Sequence, residues 1–136
     1  MTTISLDAYN RLIEKYSEKK TEKTQLEAVK ENGLALEFVK DELRTEEICL
    51  EAVKQNGLAL YYVKDDFQTE KNCLETVKQN GLALKYVKDE LRTEVICLEA
   101  VKKNGYALQF VKKQTEEICL EAVKQNKDSI RYVRKP

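Results

Sequence analysis

From Thr45 to Gln55 the apolar residues Ile48, Cys49, Leu50, Ala52 and Val53 gather on one broad helical stripe, while Glu47, Glu51, Lys54 and Gln55 fall on the other side. This pattern predicts an α-helix of about three turns, helix A. Thr45 stands at the N-cap, where its side-chain oxygen accepts a first-turn N–H, and Glu46 follows beside the positive end of the helix dipole. Asn56-Gly57 is expected to end the helix, with glycine in the left-handed C′ conformation that carries no Cβ penalty. After the glycine, Leu58, Ala59, Tyr62 and Val63 follow the i, i+1, i+4, i+5 spacing and Lys64 sits near the end, which predicts a helix B of about two turns. So short a helix does not persist alone in water, so tertiary packing must hold it. In the linker Asp65-Asp66-Phe67-Gln68 the single apolar residue is expected to plug the gap to the next unit.

This unit is written repeatedly. The stretch Cys49 to Leu60 recurs at Cys73 to Leu84 and Cys97 to Leu108, with rougher copies at Gln25 and Cys119. Gly33, Gly57, Gly81 and Gly105 are each 24 residues apart, and the last copy closes up to 22 because Lys112-Lys113-Gln114 lacks two linker residues. A fixed period of this size signals a solenoid, in which each unit buries its apolar face against its neighbours. The expected fold is therefore all-α: a short α-solenoid of helix-turn-helix repeats of about 24 residues, forming one domain over residues 1–136. Five copies occupy residues 21–44, 45–68, 69–92, 93–114 and 115–136, preceded by an N-terminal capping helix within residues 1–20. In that helix Tyr9, Leu12, Ile13 and Tyr16 share one face, with Arg11, Glu14, Lys15 and Glu18 elsewhere. At the far end Lys127-Asp128-Ser129 replaces Gly-Leu-Ala, placing polar groups at the last unit with Asp128 as the expected cap of its short helix.

The phrase Cys-Leu-Glu-Ala-Val-Lys-Gln-Asn-Gly-Leu-Ala-Leu-x-Tyr-Val, seen most fully at Cys73 to Val87 with Glu75-Thr76 replacing Glu-Ala, resembles the tandem repeats of domain of unknown function 4116. The resemblance runs over about Gln25 to Val133. It implies a helical repeat array of a kind found in bacteria, protists and large viruses, and it supplies no activity. The chain departs from the pattern at Gln25, at Asn72 where the sibling units have Ile, and at Lys127.

Equivalent positions of a solenoid line up in columns, so differences between copies separate scaffold from candidate recognition surface. Leu26, Leu50, Leu74, Leu98 and Leu120 do not vary, nor do Val29, Val53, Val77, Val101 and Val123, nor Val39, Val63, Val87, Val111 and Val133. Tight stacking demands such constancy, so these are expected in the core. Cys49, Cys73, Cys97 and Cys119 also form a column. Packed helices lie about 8–10 Å apart, too far for a disulfide, and four ligands strung along a rod cannot close a tetrahedron. They are expected to pack as small hydrophobes, as suits a reducing compartment. Phe38, Tyr62, Tyr86, Phe110 and Tyr132 form an aromatic column, readable as inter-repeat packing or as a base-stacking platform. Lys30, Lys54, Lys78, Lys102 and Lys124 each follow a glutamate by three residues and should be neutralised by it. The row Lys40, Lys64, Lys88, Lys112 and Arg134 lacks so constant a partner. It reads as a solvated helix end or as a phosphate contact.

The column that changes most is Glu37, Tyr61, Lys85, Gln109 and Arg131, directly before the aromatic position. On helix A the column Glu47, Lys71, Val95, Glu117 also varies, and Val95 is apolar on an otherwise polar face. Exposed variation on a rigid frame is the pattern of a specific protein-binding face, so Glu37, Tyr61, Lys85, Gln109, Arg131, Lys71 and Val95 are the candidate partner-binding residues.

Composition narrows the function. Lys plus Arg equals Asp plus Glu at 24 each, so no global field draws the protein to nucleic acid or an anionic membrane. With 42% hydrophobic and 35% charged residues the chain belongs with folded proteins. There is no histidine, no Gly-rich phosphate loop, no nucleophile elbow and no metal-ligand spacing, and a thiolate catalyst would need an activating base, so neither catalysis nor a cofactor is expected. The start lacks a basic head followed by an apolar run, and no segment reaches membrane-span length, so a soluble protein, cytoplasmic or delivered into a host cell cytosol, is expected. The expected function is a non-catalytic protein-binding module, acting as adaptor, effector or stoichiometric inhibitor of a partner protein or complex, a nucleic-acid-processing complex included. The alternative is single-stranded nucleic-acid binding through the lysine row and the aromatic column.

Overall fold

The computed structural model describes residues 3–16 and 22–136. Six α-helices follow one another among them: α1 (Leu6–Tyr16), α2 (Glu22–Glu31), α3 (Glu46–Gln55), α4 (Glu70–Gln79), α5 (Glu94–Lys103) and α6 (Glu116–Gln125). Helices α2 to α6 open units 1 to 5, and each is followed by a six-residue 3-10 segment: Gly33–Phe38, Gly57–Tyr62, Gly81–Tyr86, Gly105–Phe110 and Lys127–Tyr132. Consecutive α-helices pack side by side as one layer, consecutive 3-10 segments pack as a second, and α1 lies on α2. The chain is thus an all-α repeat array.

The threonine caps form as expected. Thr45, Thr69, Thr93 and Thr115 Oγ1 accept from the N–H groups of Ile48, Asn72, Ile96 and Ile118 at 3.1 to 3.3 Å. Thr21, at the start of unit 1, lies outside the described residues. At the other end the sequence reading needs correction, because none of the glycines has a positive φ. The asparagine is the joint instead. Asn56 N–H donates to Ala52 O at 2.9 Å and ends α3, while its side-chain oxygen accepts from Leu58 N at 3.0 Å and opens the next segment. Asn32, Asn80, Asn104 and Asn126 also cap in this way, so Asn126, not Asp128, caps the final segment.

The second element is 3-10 rather than the two-turn α-helix expected. Its ends close with three-residue bonds, Ala59 N to Asn56 O and Val63 N to Leu60 O. Length supplies the reason: six 3-10 residues rise about 12 Å against about 15 Å for a ten-residue α-helix, whereas six α residues would cover only about 9 Å. The stretched form lets a short segment span most of the helix it packs on. The linkers add 3-10 turns at Asp41–Leu43, Asp65–Phe67 and Asp89–Leu91. Leu43 and Leu91 plug against the core, but Phe67 stays 38% exposed.

The interior is built from Ile48, Cys49, Ala52, Val53, Ala59 and Leu60 and their equivalents, all fully buried in the central units. The invariant leucines are less deep than expected. Leu26, Leu50, Leu74 and Leu98 are half-buried at the stripe's edge, and Leu120 is 62% exposed. Unit 5 leaves Ile130 and Val133 exposed as well, so its polar substitutions do not make a fully polar end. At the N-terminal end α1 buries Tyr9 and Ile13, while the Tyr16 side chain and Glu18 lie outside the described residues. Tyr9 Oη donates to Gln25 Oε1 at 2.8 Å. This explains why unit 1 carries Gln where later units carry Cys: its column position meets a capping helix with a hydroxyl to satisfy.

The units are keyed together by side chains that the sequence reading passed over. Arg44 donates from Nε to Val39 O, from Nη1 to Tyr62 O and from Nη2 to Glu37 O, and Arg92 repeats this on Val87, Phe110 and Lys85. At the alternate seams glutamine takes the seat. Gln68 Nε2 donates to Tyr86 O and its Oε1 accepts from Lys88 N, and Gln114 does the same with Tyr132 O and Arg134 N. These seams carry a second amide: Gly57 N donates to Gln79 Oε1 at 2.8 Å and Gly105 N to Gln125 Oε1 at 2.6 Å. The terminal carbonyls of the segments in units 2 to 5 are thereby each satisfied across a seam.

Candidate interaction surface

The 3-10 layer carries the variable column. Tyr61, Lys85, Gln109 and Arg131 are exposed there, and Glu37 is half-buried. The residues after them, the aromatic column, are half-buried and packed on the core, so each variable side chain projects beside a fixed ring. Tyr61 is 58% exposed and meets Tyr62 and Tyr86 edge to face, with ring centroids 5.1 and 5.2 Å away. Lys85 Nζ lies 5.0 Å from the Tyr86 ring centre. Burial and then the neighbouring Glu37 carboxylate raise the Tyr62 phenol above its usual pKa, which keeps this hydroxyl a donor. A shallow groove of about 240 Å³ runs beside Lys85 and Tyr86, lined also by Leu58, Asn80, Leu82 and Ala83.

A second aromatic cluster lies on units 4 and 5. Tyr106 and Tyr132 meet edge to face at 5.9 Å, Arg131 stands 5.9 Å from the Tyr132 ring centre, and Gln109 Nε2 donates to Tyr106 O. Tyr106 was missed by the column reading, although Leu34, Leu58 and Leu82 at the equivalent places mark it as a change. Lys71 and Val95 are exposed but stand on the other layer, at the starts of α4 and α5. Among the described residues no ring or ion-pair contact joins them to the 3-10 row.

The lysine row is partly engaged. Lys64 and Lys112 Nζ sit 2.5 Å from Asp41 and Asp89 carboxylates, and those lysines hold both carboxyls below the usual range. In the other basic column Lys30 and Lys54 pair with Glu27 and Glu51 as the spacing implied.

Cys49, Cys73 and Cys97 are buried, Cys119 is half-buried, and all four thiols are free. Burial pushes Cys49 up to about 11 and Cys73 from 9.0 up to about 12, and it raises Cys97 and Cys119 too. At neutral pH all four thiols should therefore be protonated and weak nucleophiles. Ellman-type titration should label the native protein slowly, Cys119 first, and release all four thiols together in denaturant. Rapid labelling of Cys73 in the native state would overturn this. Since its folded pKa lies above the unfolded one, the neutral thiol contributes its full stability below pH 9.0 and loses it as pH rises toward about 12. Urea midpoints should fall over that window, and Cys73→Ala, at a cost on the order of 1 kcal/mol, should flatten the fall.

A family model matches residues 23–68, 70–114 and 96–135, which together cover most of the chain. The chain belongs to the family described as Domain of unknown function (DUF4116). Each DUF4116 match takes in two of the 24-residue units, and the Arg44, Gln68, Arg92, Gln114 alternation has the same two-unit period. No curated protein and no solved structure matches the chain. Among the described residues of this DUF4116 chain no helix is long and apolar enough to cross a membrane.

Proposed function

We propose that this chain is a non-catalytic protein-binding module whose partner docks on the 3-10 layer. One observation carries the reading: Tyr61, Lys85, Gln109 and Arg131, four exposed side chains of different chemistry, project from a row of fixed aromatic rings. Tyrosine and arginine are enriched among the residues that anchor interfaces, and the backbone that carries these two is already ordered. Burial raises the pKa of the cysteine thiols and the chain has no histidine, and both fit a binding role. Adaptor, effector and stoichiometric inhibitor are the three roles such a face serves without chemistry.

Immobilised protein should retain a defined partner from an extract of its native cell. The triple variant Tyr61→Ala, Lys85→Ala, Gln109→Ala should lose most of it, whereas Lys71→Ala with Val95→Ser, on the α-helical layer, should keep it. Retention unchanged in the triple variant sinks the assignment to the 3-10 face. A labelled single-stranded oligonucleotide offered at low salt should not bind; micromolar affinity with a steep salt dependence would replace a protein partner with a nucleic acid.

A further inference from the structure

The seam between units 4 and 5 is built with a piece missing. At the first three seams the chain runs through Asp-Glu-Leu or Asp-Asp-Phe before the Arg or Gln clamp; between Lys112 and Gln114 only Lys113 remains. Among the described residues the linker turn formed at Asp41–Leu43, Asp65–Phe67 and Asp89–Leu91 has no counterpart here. In its place lies a cleft of about 380 Å³ lined by Arg92, Thr93, Glu94, Cys97, Lys113, Thr115 and Ile118. Cys97 and Ile118, 2% and 1% exposed, are its deepest members.

The sibling seams show what fits such a place. Leu43 and Leu91 pack on the core from their linker turns, and the first residue of each turn, Asp41 or Asp89, takes the lysine of the following unit. In unit 5 that basic position is Arg134, which donates to Val111 O at 2.6 Å and to Lys112 O, and neither it nor Lys113 has a carboxylate partner among the described residues. Glu94 and Lys113 both line the cleft, so an entering carboxylate is repelled by the first and drawn to the second.

We propose that this cleft is a docking site for an acidic-apolar turn of a partner protein, an Asp-x-Leu segment that supplies in trans the plug deleted from this seam. The leucine enters over Cys97 and Ile118, and the aspartate meets Lys113 and Arg134. The site lies away from Tyr61 and Lys85, so it stands or falls independently of the 3-10 face.

The probe is a blocked pentapeptide with the sequence of residues 88–92, Lys-Asp-Glu-Leu-Arg, titrated into isotopically labelled protein while amide shifts are followed. Saturable shifts should appear at Cys97, Lys113, Thr115, Ile118 and Arg134 and not at Tyr61 or Lys85. A peptide with alanine for leucine should bind about tenfold more weakly, the loss of a buried side chain's methyl groups. Replacing Lys113 by Asp-Glu-Leu restores the 24-residue period and should abolish the shifts while leaving the helical circular dichroism intact. The proposal is overturned by no shifts at millimolar peptide, by equal affinity of the alanine peptide, or by shifts that persist in the folded protein carrying the restored turn.

Discussion

Gly81→Ala should destabilise the protein by about 3 kcal/mol, while Gly57→Ala costs under about 1 kcal/mol. A Cβ on Gly81 would stand 2.3 Å from Ala100 O and 3.0 Å from Asn104 N, both backbone atoms of the next unit. Neither can move unless α5 shifts away from unit 3. On Gly57 the nearest atoms would be Thr76 O at 3.0 Å and Gln79 Cβ at 3.3 Å, contacts that a shift of a few tenths of an ångström relieves. Neither glycine has a positive φ, so alanine is allowed by the backbone and even gains a little by restricting the unfolded chain. The effect is therefore one of close approach alone. Urea unfolding of the two variants decides it, and equal midpoints would restore the helix-terminating role that the Asn-Gly pairs imply in sequence.

Arg92→Ala should cost a similar amount, about 3 kcal/mol, because three carbonyls lose a charged donor at once. Nε, Nη1 and Nη2 reach Val87 O, Phe110 O and Lys85 O at 2.8, 2.8 and 3.2 Å. The Arg92 side chain is 16% exposed, so water cannot fully replace its donors. Arg92→Gln should recover at least half of the loss, since Gln68 and Gln114 fill the same seat in this molecule. Arg92→Met keeps most of the stem's packing and removes the donors, so it should resemble alanine. If glutamine is no better than methionine, the clamp acts through packing and not through its hydrogen bonds.

These two residues also mark where sequence reading stops. The α-helices were legible because ten residues with a threonine cap and a wide apolar stripe have one way to fold against a neighbour. The 3-10 segments were not, since Gly-Leu-Ala-Leu-x-Tyr places its apolar residues inward in either helical form and only the length of the opposing helix selects the stretched one. Glycine was read as the left-handed end of a helix when its purpose is contact with the next unit, a relation between residues about 20 apart that no local pattern carries. The clamps escaped because an Arg or Gln in a charged linker looks solvated; the sign was their strict alternation. Of the candidate partner-binding residues, the exposed places of Tyr61, Lys85, Gln109 and Arg131 followed from column variation, but the grouping of their rings into two clusters needed coordinates.

The amide at alternate seams has a consequence for how such a chain finds its order. Near-identical units can stack out of turn during folding, with one looped out. If unit 3 were skipped and unit 2 met unit 4, Lys103 would occupy the place of Gln79 and the buried Gly57 N–H would lose its acceptor. Unit 5 would restore a glutamine there in Gln125, so from unit 2 the misregistered forms that survive should omit two units and not one.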